Sequence, residues 1–243
     1  MPTMRVYFAM AFVFLSSFFS GVGLGARPAT AAGVEATTVQ VGGASSVLLK
    51  PARPRGALIL LAGGDGYIGV GPDGAIAREG NQLVRTRAAY AARGFAVLVP
   101  DCCVDVAAAV TYMQQFGHVT LVGTSRGTQR AARGIAAGAR PTRLVLTSGF
   151  LSDDSGDRDN VEAIVGSPSV LPPTLIVHHR HDECRFTQPE GVKPFLDWAT
   201  GKARVVWLDG GDDEGDSCGA EAHHGFNGID GQVVSAVASF AAR

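Results

Sequence analysis

The run Val119-Thr120-Leu121-Val122-Gly123-Thr124-Ser125-Arg126-Gly127-Thr128 decides how the rest of the chain is read. It opens on an apolar, β-branched segment that suits a buried strand. The Ala- and Arg-rich residues that follow, up to Ala137, suit a helix ended by Gly138. The G-x-S-x-G between them sets Ser125 on a strand-to-helix turn so tight that residues without a Cβ are needed on both sides. Such a turn lifts the hydroxyl to the carboxyl edge of a sheet. It also leaves the backbone N–H of Arg126 at a helix N-terminus, free to donate to an anionic oxygen. In a chain with 32 glycines the bare pattern says little, and the strand before it and helix after it carry the reading.

The same alternation extends outward in both directions. Residues 37–41 and 45–50 read as an opening hairpin, 57–61 as a buried strand, 82–93 as a helix closed by Gly94, and 95–99 as a strand ended by Pro100. A helix over 104–116, ended by Gly117, leads into a strand at 118–122, and 144–147 and 174–178 are further strands. A helix around 194–200, a strand at 204–208 and a last helix over 232–240 complete the order. Short apolar runs between amphipathic stretches predict an α/β fold, a mostly parallel twisted sheet with helices on both faces. The polar stretch 152–173 is the longest connection late in the chain, and no large lid domain is expected.

A serine hydroxyl is a weak nucleophile near neutral pH. It needs an imidazole to take its proton and a carboxylate to orient that imidazole. Asp182, in His178-His179-Arg180-His181-Asp182-Glu183-Cys184, follows the strand ending at 178. Glu183 competes with it, and one residue of displacement redirects a side chain. His224, in Ala222-His223-His224-Gly225-Phe226, falls between the strand 204–208 and the last helix, with His223 as the substitute. Gly63-Gly64-Asp65-Gly66 follows the strand 57–61, and the N–H of Gly64 or Asp65 is the expected companion of Arg126 in an oxyanion hole.

In the order Ser125, Asp182, His224 the chain resembles the α/β-hydrolase superfamily, in particular a group of small bacterial serine hydrolases or esterases with a Gly-Thr-Ser-Arg-Gly-Thr elbow. The likeness spans essentially the chain after its first segment. Its marks are Leu61 to Gly66, Asn81-Gln82-Leu83-Val84-Arg85-Thr86-Arg87, Gly123 to Thr128, His179 to Cys184, and His224-Gly225-Phe226. It implies a Ser-His-Asp hydrolase acting on carboxylic esters of small molecules, without metal or organic cofactor. One departure is the short connection Asp101-Cys102-Cys103-Val104-Asp105, where the group usually carries a longer one, and this leaves a pocket wall more open. Cys184 and Cys218 then lie on the acid and base loops, and a disulfide between them would pin the two together, whereas Cys102 and Cys103 have no assigned partner.

Composition bounds the alternatives. The 243 residues are 46 % hydrophobic with a net charge of −1, which suits one domain over 33–243 and removes the basic footprint of a nucleic-acid binder. Arg5, the apolar run from Val6 to Phe19 and the small residues Ala29-Thr30-Ala31 read as a signal peptide over residues 1–32. This predicts export to the periplasm or medium, with no stable membrane anchor once the leader is cut. The histidines and acids show no H-E-x-x-H, C-x-x-C or calcium-loop spacing, so no metal is expected. Gly69-Val70-Gly71-Pro72-Asp73-Gly74 matches G-x-G-x-x-G only formally, because Pro72 interrupts the N–H cradle a pyrophosphate requires. The remaining rivals to a small-molecule esterase are an amidase or peptidase, and a non-catalytic small-molecule-binding protein on the same scaffold.

Overall fold

The computed structural model describes residues 1–3 and 34–243. The expected leader therefore falls, apart from its first three residues, outside the described residues. Among the described residues no helix is long and apolar enough to cross a membrane.

Eight strands form one sheet. They are β1 (Glu35–Val41), β2 (Ala44–Lys50), β3 (Ala57–Leu61), β4 (Ala96–Pro100), β5 (Val119–Thr124), β6 (Arg143–Thr147), β7 (Thr174–His179) and β8 (Ala203–Leu208). Their order across the sheet is β1-β2-β4-β3-β5-β6-β7-β8. β1 and β2 pair antiparallel, as do β2 and β4, and every pairing from β4 to β8 is parallel. Every residue of β3, β4, β5 and β7 is buried, because helices cover both faces of the sheet. Alternate side chains serve opposite cores. Ile59, Leu61 and Leu121 join one, while Leu58, Leu60 and Val122 join the other.

The first core is closed by α3 (Val106–Met113), α4 (Arg126–Ala136), α5 (Val161–Val165) and α6 (Val192–Trp198), and the second by α1 (Gln82–Arg85), α2 (Arg87–Ala92) and α7 (Asp230–Ala241). α3 starts two residues later than expected because the Asp105 carboxylate caps it, accepting from the N–H groups of Ala107 and Ala108 at 2.9 and 3.1 Å. The helix expected over 82–93 is divided at Thr86, whose backbone sits at φ −95°, ψ 0° and whose hydroxyl donates to the Gln82 carbonyl at 2.7 Å. Within 152–173, α5 is capped by Asn160 and stopped by Gly166.

Parallel register brings the carboxyl ends of the strands to one edge: Thr124 pairs with Thr147, Thr147 with Val177, and His179 with Leu208. Packing is close at that edge, where α4 crosses the end of β3. A Cβ on Gly127 would stand 2.1 Å from the Leu61 carbonyl oxygen, and one on Gly123 would stand 2.5 Å from the Gly127 oxygen. Backbone cannot yield as a flexible side chain can. Gly127→Ala should therefore lose about 2–3 kcal/mol, lowering Tm by roughly 5–10 °C. Gly231→Ala, where a Cβ meets nothing within 4 Å in α7, should leave Tm unchanged or slightly raised. Thermal melts of the two variants check the contrast.

Candidate active site

Ser125 occupies the turn between β5 and α4 at φ 51°, ψ −127°, a left-handed conformation that costs an ordinary residue about 1–3 kcal/mol. The turn is held by its surroundings: the Ser125 N–H donates to the Thr147 carbonyl at 3.0 Å, and the Thr128 N–H and hydroxyl donate to the Ser125 carbonyl at 2.9 and 2.7 Å. Arg126 is the first residue of α4, and its N–H has no partner among the described residues. The N–H groups of Gly63, Gly64 and Asp65 are likewise unpartnered there. Gly63 and Gly64 line a small cleft of about 60 Å³ together with Ser125 and His224. Asp65 and the Arg126 side chain instead line a neighbouring polar hollow, and the Asp65 carboxylate accepts from the Tyr67 N–H.

His224 lies in a short helical turn before α7 and is buried, as is Asp182 in the turn after β7. The His224 Nδ1 stands 3.1 and 3.3 Å from the two Asp182 oxygens. A carboxylate oxygen accepts, so the imidazole Nδ1 is the donor, and in the neutral ring that tautomer leaves Nε2 as an acceptor. Thr187 completes the group. Its hydroxyl donates to Asp182 Oδ2 at 3.1 Å and stands 3.0 Å from the imidazole Nδ1. The Cys184 N–H donates to the other carboxylate oxygen at 3.0 Å, and the Ser148 hydroxyl donates to the His224 carbonyl at 2.7 Å. Glu183 is exposed, and His223 stacks on His179 with ring centroids 4.2 Å apart, its Nδ1 3.8 Å from Asp213. Ser125 and His224 share the cleft, and no hydrogen bond joins the hydroxyl to the imidazole. Such bonds commonly tighten only when substrate binds.

Two clamps fix the loops. A disulfide joins Cys184 to Cys218, with Cα atoms 4.6 Å apart and 34 residues of separation. Closing a loop of that length restricts the unfolded chain by about 4 kcal/mol in the chain-entropy model. Arg85 forms a bidentate ion pair with Asp230 at 2.8 and 2.9 Å and also donates to the carbonyls of Ala220 and Gly225, on either side of His224. Arg130 reaches from α4 to the carbonyls of Ala62 and Gly64.

A cavity of about 410 Å³ lies beside these groups and includes none of Ser125, Asp182 or His224. Cys102 and Cys103 line it with their sulfurs 3.1 Å apart as free thiols. Reactivity follows chemistry and not volume, so the small cleft is the candidate site. Among the described residues, no group of His, Cys, Asp and Glu is arranged to hold a metal ion.

The parallel sheet with its antiparallel first pair, the serine turn after β5, the carboxylate after β7 and the histidine after β8 decide the architecture. The chain has the α/β-hydrolase fold. A Thermus thermophilus protein of known structure superposes with a TM-score of 0.61 at 15 % identity, over 86 % of this chain and 99 % of that one. The esterase domain of a Rhodothermus marinus protein gives 0.60 at 15 % identity, over 86 % and 98 %. An α/β serine hydrolase without a lid from Xanthomonas campestris gives 0.54 at 13 % identity, over 87 % and 98 %. No family model and no curated protein matches the chain by sequence. Among the described residues of this α/β-hydrolase fold, no large lid covers the carboxyl edge.

No motif in the sequence assigns a role to Thr187, Arg85, Arg130 or Ser148. Thr187 has no motif, Arg85 looks like an ordinary surface helix residue, and the hydrogen bonds of all four are long-range or loop-dependent. His178 is also outside the expected constellation. It is fully buried, its Nε2 bonds the Thr187 carbonyl at 2.9 Å, and its Nδ1 has no partner. Burial pushes its pKa from 6.5 down to about 4, against the opposing pull of Asp182. The unfolded chain thus takes up a proton between those values that the folded chain refuses. The stability tied to neutral His178 is complete above about pH 6.5 and is lost as pH falls toward 4. Urea denaturation at pH 7.5 and 4.5 should show the parent losing about 2–3 kcal/mol more than His178→Gln on acidification. Equal losses would assign the acid sensitivity elsewhere.

Proposed function

We propose that the chain is a serine hydrolase of small carboxylic esters, with Ser125 as nucleophile, His224 as general base and Asp182 as the carboxylate that orients it. The observation that carries this reading is the buried Asp182–His224 pair, whose His224 lines the same cleft as a serine held in a left-handed turn. The Ser125 oxygen attacks the ester carbonyl while its proton passes to His224 Nε2, and the carbonyl electron pair moves onto oxygen. The N–H groups of Arg126 and of the Gly63–Gly64 turn, with Asp65 beside it, are the oxyanion donors. Collapse expels the alcohol, which leaves with the proton from His224. Water then repeats the sequence to release the acid and restore Ser125. Asp182, held by Thr187 and Cys184, stabilises the imidazolium at each stage.

The structural relatives described as an esterase domain and as a serine hydrolase support this chemistry. A cleft of about 60 Å³ without a lid favours short acyl groups, with the alcohol portion toward solvent. Esters are favoured over the amides of an amidase or peptidase because their leaving groups need less protonation in an open site. No metal or organic cofactor enters any step. The signal-like first segment and the Cys184–Cys218 disulfide support export.

A panel of p-nitrophenyl esters from acetate to laurate tests the reading. Turnover by the parent should be greatest with the shortest chains, and Ser125→Ala should lose about 10⁴-fold or more in kcat. No turnover by a folded parent, or equal turnover by the variant, would leave a small-molecule-binding protein on a hydrolase scaffold.

A further inference from the structure

We propose that the side chain of Asn81 is an oxyanion donor, its Nδ2 completing the cradle begun by the N–H groups of Arg126 and of the Gly63–Gly64 turn. The inference deepens the esterase reading and rests on it.

The orientation of the amide is fixed by the structure. Asn81 Oδ1 accepts from the Leu83 N–H at 3.1 Å, and only the oxygen end of a carboxamide can accept, so the NH₂ end faces the other way. That end lies beside the nucleophile. A Cβ built on Gly63 would stand 3.2 Å from Asn81 Nδ2 and 3.1 Å from Ser125 Cβ, so amide and serine flank the same bare glycine. Asn81 Nδ2 donates to no group among the described residues, and Asn81 lines the cleft with Ser125 and His224. Its neighbour Gln82 lines the same cleft at 2 % exposure, with both amide atoms lacking a partner. This wall therefore carries more polar capacity than the folded chain itself uses.

A neutral NH₂ group of this kind suits a developing negative charge. When the Ser125 oxygen bonds to the carbonyl carbon and the π pair moves onto oxygen, Nδ2 donates a hydrogen bond without giving up its proton. When the carbonyl re-forms, the hydrogen bond weakens again. The groups on Asn81 divide cleanly, with the oxygen spent on the local fold and the nitrogen left for chemistry.

The rival role is purely structural: Asn81 caps the turn that starts α1. Asn81→Ser and Asn81→Asp separate the two, since Ser and Asp cap as well as Asn but bring no NH₂ to the cleft. With p-nitrophenyl acetate, both variants should lose roughly 10²–10³-fold in kcat with KM changed by less than about threefold. Affinity for a trifluoromethyl ketone, which forms a tetrahedral oxyanion on serine, should fall in parallel while Tm stays within about 2 °C. Losses under about threefold in folded variants, or losses confined to KM, would overturn the role of Asn81 while leaving a Ser125-dependent parent intact. A parent that neither turns over the ester nor binds the ketone would remove the esterase reading and this proposal together.

Discussion

The contact on which the rest of the molecule depends is the approach of α4 to the end of β3. With Gly127 there is room for the helix backbone to lie against the Leu61 carbonyl, and with Gly123 the strand can pass under the start of the helix. That closeness forces the intervening residue into the left-handed region, so Ser125 stands clear of the sheet on a turn with little freedom. The same contact sets the N–H of Arg126, unpartnered among the described residues, at the start of α4, with Gly63 beside Ser125. Strain at one serine is over-determined by two glycines and by the hydrogen bonds from Thr128.

Around that fixed point the other groups are held by polar bonds inside an apolar scaffold. Asp182 is buried, and its oxygens are met by an N–H, a hydroxyl and an imidazole, so its charge is compensated where solvent does not reach. The disulfide and the Arg85–Asp230 pair hold the loops bearing Asp182 and His224, and Arg130 holds the glycine turn opposite them. Rigid loops matter because proton transfer and oxyanion stabilisation both depend on sub-ångström placement.

Much of this was legible in the sequence because its physical causes are local. β3 and β5 are buried on both faces and so read as unbroken apolar runs, and the serine turn needs glycines at fixed positions. The chain order of the candidate triad pointed to a fold that the eight-stranded sheet then displays. Other features depend on tertiary contact and leave no local trace. The break at Thr86 follows from a side-chain hydroxyl returning to a carbonyl one turn back. Thr187 meets Asp182 and His224 only because the turn after β7 folds over them, and Asn81 reads as an ordinary helix cap until Gly63 and Ser125 are seen beside it. In the sequence Glu183 and His223 compete with Asp182 and His224; in the fold Asp182 and His224 are buried, Glu183 is exposed and His223 is half-buried.

The central claim is that one serine is activated by the buried pair. Treating the folded protein with a fluorophosphonate and locating the adduct by peptide mass spectrometry tests it most directly. The account predicts a single adduct, on Ser125, formed far more slowly when His224 is replaced by Asn. A folded protein that takes up no label, or takes it up at another residue with Ser125 unmodified, would contradict the account.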